Sequence, residues 1–392
     1  MPHWRSNSVW TEGNSVYDVA VLGLGAVGSM TAWRCAIRGA RVIGVERFTP
    51  VHHRGSSHGG ARIFRQSIFE GAEYLPLIAR AKTLWHDLQN GSGATILNPC
   101  GALYIGPPDS DFIRDAQAAG RTGGFAQQVL DPDRLAAAYP QHGSIGGDVG
   151  VFEPGAGLLD PQVAILAAQY LAGEAGARLT FETVVTAVDG DDSGVRIRTD
   201  SEVISARVAV VANGAWFNDL TPSLRLPLRV QRSSALFFTP RDLATAYGPD
   251  RFPAFIRRSP GIDGWGVPNV DGTGVKIGAG AGADKPWLAH ADDNNYPLDA
   301  DDTEPAEKFC RKALPGITPK VAAGWPCMNL KTPDLDFIIG TAERAPGLIL
   351  AGGFSGHGFK HASGVGDVVA DLALDGHTDI ALDRFSPDRF ID

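Results

Sequence analysis

The sequence predicts an α/β chain, α+β overall, built as two interleaved domains: one a parallel sheet under helices, the other a mainly antiparallel sheet. Three observations lead there. Residues 17–47, YDVAVLGLGAVGSMTAWRCAIRGARVIGVER, divide into an apolar strand, a glycine turn, an amphipathic helix and a second apolar strand, which is a βαβ unit. ARVAVVANG (206–214) and GLILAGG (347–353) are almost wholly apolar, the pattern of parallel strands buried on both faces, and the second leads into the helix-like GVGDVVADLAL (364–374). Between them, residues 226–330 change character, with strands such as ALFFT (235–239) and VKIGA (275–279) separated by polar loops and an acidic stretch, ADDNNYPLDADD (291–302).

The expected division is a flexible extension over 1–15, a first domain from 16–93, 155–225 and 331–392, and a second from 94–154 and 226–330. In the first domain, Gly23, Gly25 and Gly28 form GxGxxG between strand and helix, which makes it Rossmann-like. The first glycine turns the chain, the second admits a pyrophosphate, and the third lets helix and sheet pack closely. The helix N-terminus adds unpaired N–H groups and a partial positive charge. Glu46 ends the second strand eighteen residues after Gly28, where a carboxylate can accept bonds from ribose hydroxyls. A dinucleotide is therefore expected, although the fingerprint alone does not separate FAD from NAD.

Further along, ALYIG (102–106) reads as a strand, with helices around Phe112 and Leu135. Residues 157–179 read as one helix, with Asp160 and Pro161 as N-cap and first helical residue. Strands follow at VVTAV (184–188) and GVRIRT (194–199). In AGGFSGHGFK (351–360) four glycines follow a buried strand, the sign of a backbone that approaches something flat or charged closely.

Composition narrows the partners. The 392 residues are 44% hydrophobic and 20% charged, with a net charge of −9 and no run of lysine or arginine, which argues for a small molecule and against nucleic acid. The apolar runs are too short for a membrane span, and MPHWRSNSVWTEGNS has no continuous apolar core of a signal peptide. Cys35, Cys100, Cys310 and Cys327 show no CxxC or metal-ligand spacing. A cytoplasmic protein without metal, monomeric or weakly oligomeric, is expected.

The chain resembles the FAD-dependent amine oxidases of the monomeric sarcosine oxidase and N-methyltryptophan oxidase family across nearly all of 17–380. The resemblance rests on GSSHGGARIFRQ (55–66), EGAEYLPL (70–77), GVKIG (274–278), CMNLKTPDLDFIIG (327–340) and GFSGHGFK (353–360), in family order. It implies FAD as cofactor, joined through Cys327 by a thioether to the ring's 8α-methyl. Cys35, Cys100 and Cys310 match no motif and are expected to be structural; a buried structural role is also the plain alternative for Cys327. Arg62 matches the arginine near the flavin ring, against the alternative of a surface ion pair. Lys276 matches the lysine beside flavin N5 that promotes reaction with oxygen; from periodicity alone it would be the outward residue of a half-exposed strand.

Arg65 and Lys360 match the pair that binds the substrate carboxylate, a guanidinium fork supplemented by an ammonium. Gly356, Gly358 and His357 fall where backbone meets the flavin, and Val184 falls with the cofactor-binding positions. His58 and His357 are candidate proton shuttles or satisfied structural histidines. Three positions depart from the sarcosine oxidase pattern: Trp265 and Asn329 stand for tyrosines and Gly280 for a histidine. The glycine is expected to open space for a larger or differently oriented substrate.

The resemblance thus implies an oxidase of an N-alkyl or cyclic amino acid, by hydride transfer to flavin N5 with O2 reduced to H2O2. An Amadori-type or biosynthetic-intermediate amine would suit the same chemistry. A flavin dehydrogenase with a different electron acceptor, or a dinucleotide-binding module without turnover, would also carry these motifs.

Overall fold

The computed structural model describes residues 16–143, 146–191, 193–241, 244–280, 285–294 and 297–391; the expected extension over 1–15 lies outside them. Five parallel strands form the core of the eight-stranded first sheet, in the order Arg178–Thr180, Val42–Val45, Tyr17–Leu22, Val203–Val211, Leu348–Gly352, and three antiparallel strands, Val185–Asp191, Gly194–Thr199 and Ile338–Thr341, complete it. Val203–Val211 serves two neighbours on one edge. Its first half pairs antiparallel with Gly194–Thr199, and its second half pairs parallel with Leu348–Gly352.

The apolar runs are apolar because both faces of this sheet are covered. Val19 and Val21 pack into a cluster with the helices Ala26–Ala36, Leu75–Ser92, Pro161–Glu174 and Ala362–Asp375. Ala20 and Leu22, on the opposite face, join Phe217, Leu226, Leu228 and Met328. The helix expected over 157–179 is shorter. Gly157–Leu159 pairs as a strand with Arg62–Phe64 and Leu97–Asn98, and Arg178–Thr180 joins the parallel sheet. The helix itself runs Pro161–Glu174, with the Asp160 carboxylate accepting from the N–H groups of Gln162 and Val163. Continuing it backwards would forfeit that cap.

The second sheet has nine strands and draws on both segments of the chain. Ala102–Gly106, Gln128–Leu130 and Val149–Glu153 join the strands of 229–331 through one parallel pairing, Ala102–Gly106 with Ala254–Ser259. Its two-residue period sorts side chains cleanly. Val275 and Ile277 pack with Phe255, Phe309 and Cys310 under the helix Ala300–Ala313, whereas Lys276 faces the other way. That other face looks across at the carboxyl ends of the parallel strands, and a cavity of about 800 Å3 lies between them.

Candidate active site

At one end of the cavity the glycine loop forms a cradle. Gly23 has φ +93°, and a Cβ there would fall 2.6 Å from the Asn213 Cα. At Gly28 a Cβ would stand 1.8 Å from the Gly23 carbonyl oxygen, so the helix packs where only glycine fits. Gly25 differs: its missing Cβ would meet only the Ser57 Oγ, 3.9 Å away, and Gly25 caps the helix without a side-chain hydrogen bond. Uncapped N–H groups beside open space suit a diphosphate.

Glu46 secures this cradle from the next strand. Its Oε2 accepts from the Leu24 N–H at 2.8 Å and its Oε1 from the Phe48 N–H at 3.0 Å. Burial raises its pKa, which those N–H groups counteract. The Thr183 N–H donates to the Glu46 carbonyl at 2.9 Å and brings Val184 onto the same wall. The residues present therefore fit a dinucleotide at the end where one was expected.

Further in, Cys327 lies opposite Ser233 in the long antiparallel pair of Arg229–Pro240 with Ile317–Lys331, and it lines the cavity. Its Sγ is 3.5 Å from His58 Nε2, and burial raises the thiol pKa. His58 is buried behind this sulfur rather than on the cavity wall; burial and then Arg62 lower its pKa to about 3, so the imidazole is neutral. The neutral ring can accept a hydrogen bond from the thiol, but with so low a pKa it is no base for that proton, and it does not reach the cavity wall.

Arg62 is no surface ion pair. Its guanidinium donates to the carbonyls of Gly60 (2.7 Å), Ser56 (2.9 Å) and His58, tying one loop together while still facing the cavity. Lys276 is buried too, with Nζ donating to the Ala61 carbonyl at 3.1 Å and lying 5.6 Å from the Trp265 ring centroid. Burial and the Arg62 charge hold its pKa well below the lysine value. The half-exposed strand that periodicity alone suggested is overturned, because the face it points to is covered.

The cationic pair Arg65 and Lys360 comes together as expected, from positions 295 residues apart in the chain. Between them sits Glu70, a residue given no role from the sequence. Glu70 Oε1 pairs with Arg65 and lies 3.5 Å from Lys360 Nζ, and its Oε2 is buried without a hydrogen bond among the described residues. Burial favours a neutral Glu70, but Arg65 and Lys360 prevail and hold its pKa well below the carboxylate range. Burial lowers the Lys360 pKa to about 7, with Glu70 opposing and Arg65 adding to the shift. Arg65 also lies over Phe69, with Cζ 4.0 Å from the ring centroid.

The His357 ring stacks on Phe337 at 4.7 Å, with Nε2 3.1 Å from the Leu335 carbonyl; burial and then Lys360 lower its pKa to about 4. Gly356 has φ +87°, and a Cβ there would come 3.3 Å from the Asn329 side chain, so both share one stretch of wall. Gly358 is glycine for packing: its Cβ would fall 2.5 Å from that of Phe354.

The expectation at Gly280 needs correction. A Cβ there would fall 2.0 Å from the Asp263 Cγ, so the place of the side chain is filled by a carboxylate rather than opened. Trp265 does the same over Gly278, whose Cβ would meet its ring at 2.4 Å. Of the sequence-derived site residues, Gly28 and His58 alone stay off the cavity wall. Glu70, Phe69, Arg258 and Asp263 are on it and went unnoticed; only Glu70, at the head of EGAEYLPL, lay in a stretch already singled out. Among the described residues no cluster of His, Cys, Asp and Glu could hold a metal, and no helix is long and apolar enough to cross a membrane.

Comparison with known proteins matches residues 18–372 to the family described as FAD dependent oxidoreductase. Monomeric sarcosine oxidase of Streptomyces avermitilis is 34% identical over 377 residues, covering 95% of this chain and 97% of that protein. N-methyl-L-tryptophan oxidase of Escherichia coli K12 is 33% identical over 378 residues, covering 95% and 99%. Among solved structures, NikD, an unusual amino acid oxidase essential for nikkomycin biosynthesis, superposes with a TM-score of 0.83 at 24% identity, over 95% of this chain and 98% of that one.

Proposed function

The chain belongs to the FAD dependent oxidoreductase family, and on that premise we propose that it oxidises a carboxylated secondary amine, an N-alkyl or cyclic amino acid, with O2 as acceptor. One observation carries this proposal: Arg65 and Lys360 meet at a single carboxylate, Glu70, on the wall of the cavity that holds the glycine cradle. Two cations around one internal carboxylate form a receptor for an external one.

FAD, when bound, supplies the two-electron acceptor for the hydride from the carbon next to nitrogen. Gly23, Gly25 and the helix they open would hold its diphosphate, Glu46 its ribose, and Val184 its adenosine end. Cys327 would tether the ring edge. A thioether from its Sγ would require loss of one hydrogen from the thiol and one from the flavin, with O2 as the two-electron oxidant. His58, neutral and 3.5 Å from Sγ, would orient the thiol by accepting its hydrogen bond.

Arg65 and Lys360 orient the substrate by its carboxylate, which converts binding energy into alignment of the reacting C–H. Lys276 and Arg62 would place positive charge where electrons arrive. Lys276, with its depressed pKa, takes up a proton when an anion forms beside it. An amine that binds neutral needs no strong side-chain base, and the site contains no catalytic dyad in this scheme. Four free cysteines agree with a reducing compartment such as the cytoplasm.

The experiment is anaerobic mixing of the FAD-loaded protein with N-methyl and cyclic amino acids, followed by admission of air. Bleaching of the flavin by the carboxylated amines, with H2O2 released on reoxidation, is expected. Silence towards every carboxylated secondary amine would overturn the substrate class, and bleaching without reoxidation by air would replace O2 by another acceptor.

A further inference from the structure

Building on that function, we propose that Arg258 forms a second anion subsite in the same cavity, so that the substrate class is a secondary amine bearing two carboxylates. One carboxylate binds Arg65 and Lys360, and the other binds Arg258. The subsite is built into the sheet. Three neighbouring strands, Ala254–Ser259, Ile262–Val267 and Val275–Ala279, line the cavity through Ile256 and Arg258, Asp263 and Trp265, and Lys276. Moving away from Lys276 along its strand, positions 278 and 280 are both glycine, and each is overlaid by a side chain of the adjacent strand, Trp265 and then Asp263. Asp263 faces Arg258 across the hairpin, with Oδ1 3.7 Å from Arg258 Nε.

That spacing is an ionic contact without a hydrogen bond. The Arg258 Nε is buried and has no hydrogen-bond partner among the described residues. The guanidinium lies over Phe69, with Cζ 4.9 Å from the same ring centroid that Arg65 approaches to 4.0 Å. Both arginines, each held by an internal carboxylate, thus lie against one ring, and the two centroid distances put their Cζ atoms at most about 9 Å apart, within the reach of a small diacid. The Arg258 and Asp263 side chains are 39% and 42% exposed, against 5% and 16% for Arg65 and Glu70, so the second pair is the more readily opened. On this wall Arg65, Arg258 and Lys360 outnumber Glu70 and Asp263, which favours an anionic guest over a cationic one. A pair that merely stapled the hairpin would be indifferent to ligand charge.

The test separates binding from turnover. Calorimetry on the FAD-loaded protein compares thiodiglycolate, a thioether diacid that offers no amine to oxidise, with its monoamide. The diacid should bind about tenfold or more tightly. Arg258→Gln should abolish that preference by weakening the diacid alone, and Asp263→Asn, which frees the guanidinium, should strengthen it. Equal binding of the two ligands, or a preference that survives Arg258→Gln, overturns the subsite. In parallel, N-methylglutamate and N-methylglutamine are compared as reductants of the bound flavin. Oxidation of both at equal efficiency would refute the subsite and leave amine oxidation standing. A diacid preference that Arg258→Gln abolishes, with neither amine oxidised, would uphold the subsite and refute the oxidase function.

Discussion

Replacing Glu70 by glutamine removes the charge that Arg65 and Lys360 share while keeping the shape of the side chain. At the 3.5 Å between Lys360 Nζ and Glu70 Oε1, unit charges attract by about 5 kcal/mol at an effective dielectric of 20. Solvation offsets most of that, and ~1.5–3 kcal/mol is the usual net value of a hydrogen bond to a charged group. A substrate carboxylate must displace Glu70 and forgo that amount, whereas in Glu70→Gln it need not. Its affinity should therefore rise about 10- to 100-fold. The ligand-free variant, with two buried cations left uncompensated, should lose ~3–5 kcal/mol of stability and regain part of it on binding. The assay is calorimetry with a non-oxidisable carboxylate at pH 6, together with the Tm of free and saturated protein. The low pH matters because Lys360, with its pKa near 7, loses a supporting anion in the variant. Unchanged or weaker binding by a variant that is folded at the start of the titration would refute the idea that Glu70 occupies the substrate's place.

Three other perturbations follow from the geometry. Acid precipitation of the flavin-loaded protein should leave a yellow pellet, and Cys327→Ser should release the colour to the supernatant; release from both would remove the tether. Gly25→Ala should keep the Tm within a few degrees but lose FAD, since its Cβ meets only open space, whereas Gly28→Ala, with a Cβ 1.8 Å from the Gly23 oxygen, should fail to fold stably; equal behaviour of the two would contradict the cradle. Lys360 is charged below its pKa of about 7 and loses that charge as pH rises, so KM for a carboxylated amine should climb up to about tenfold above pH 7, with no climb for the corresponding amide or in Lys360→Met; a flat wild-type profile would take Lys360 out of the clamp.

The parts of the site that were legible share a property. Gly23, Gly25, Gly28 and Glu46 lie within one βαβ unit, where strand and helix periods set their relative places along a short piece of chain. Cys327, Lys276, Arg65 and Lys360 were legible through motif order alone; nothing in the residues around Lys276 distinguishes a buried lysine from an outward one. The Gly280 expectation failed because a missing side chain was equated with a void. Whether space opens depends on the neighbouring strand, and Asp263 lies seventeen residues away by sequence but within contact distance across the sheet.

Taken alone, then, the amino-acid order determined which segments become buried strands, where the glycine loop turns and which family the motifs resemble, because those properties depend on hydrophobic period and on residues near one another in the chain. Tertiary structure alone decided that Glu70 stands between Arg65 and Lys360, that His58 backs the Cys327 sulfur, and that Arg258 and Asp263 face the cavity. The physical reason is that electrostatic pairing and filled space depend on distance between atoms, and distances across a folded sheet are set by strand register and packing that no local pattern records.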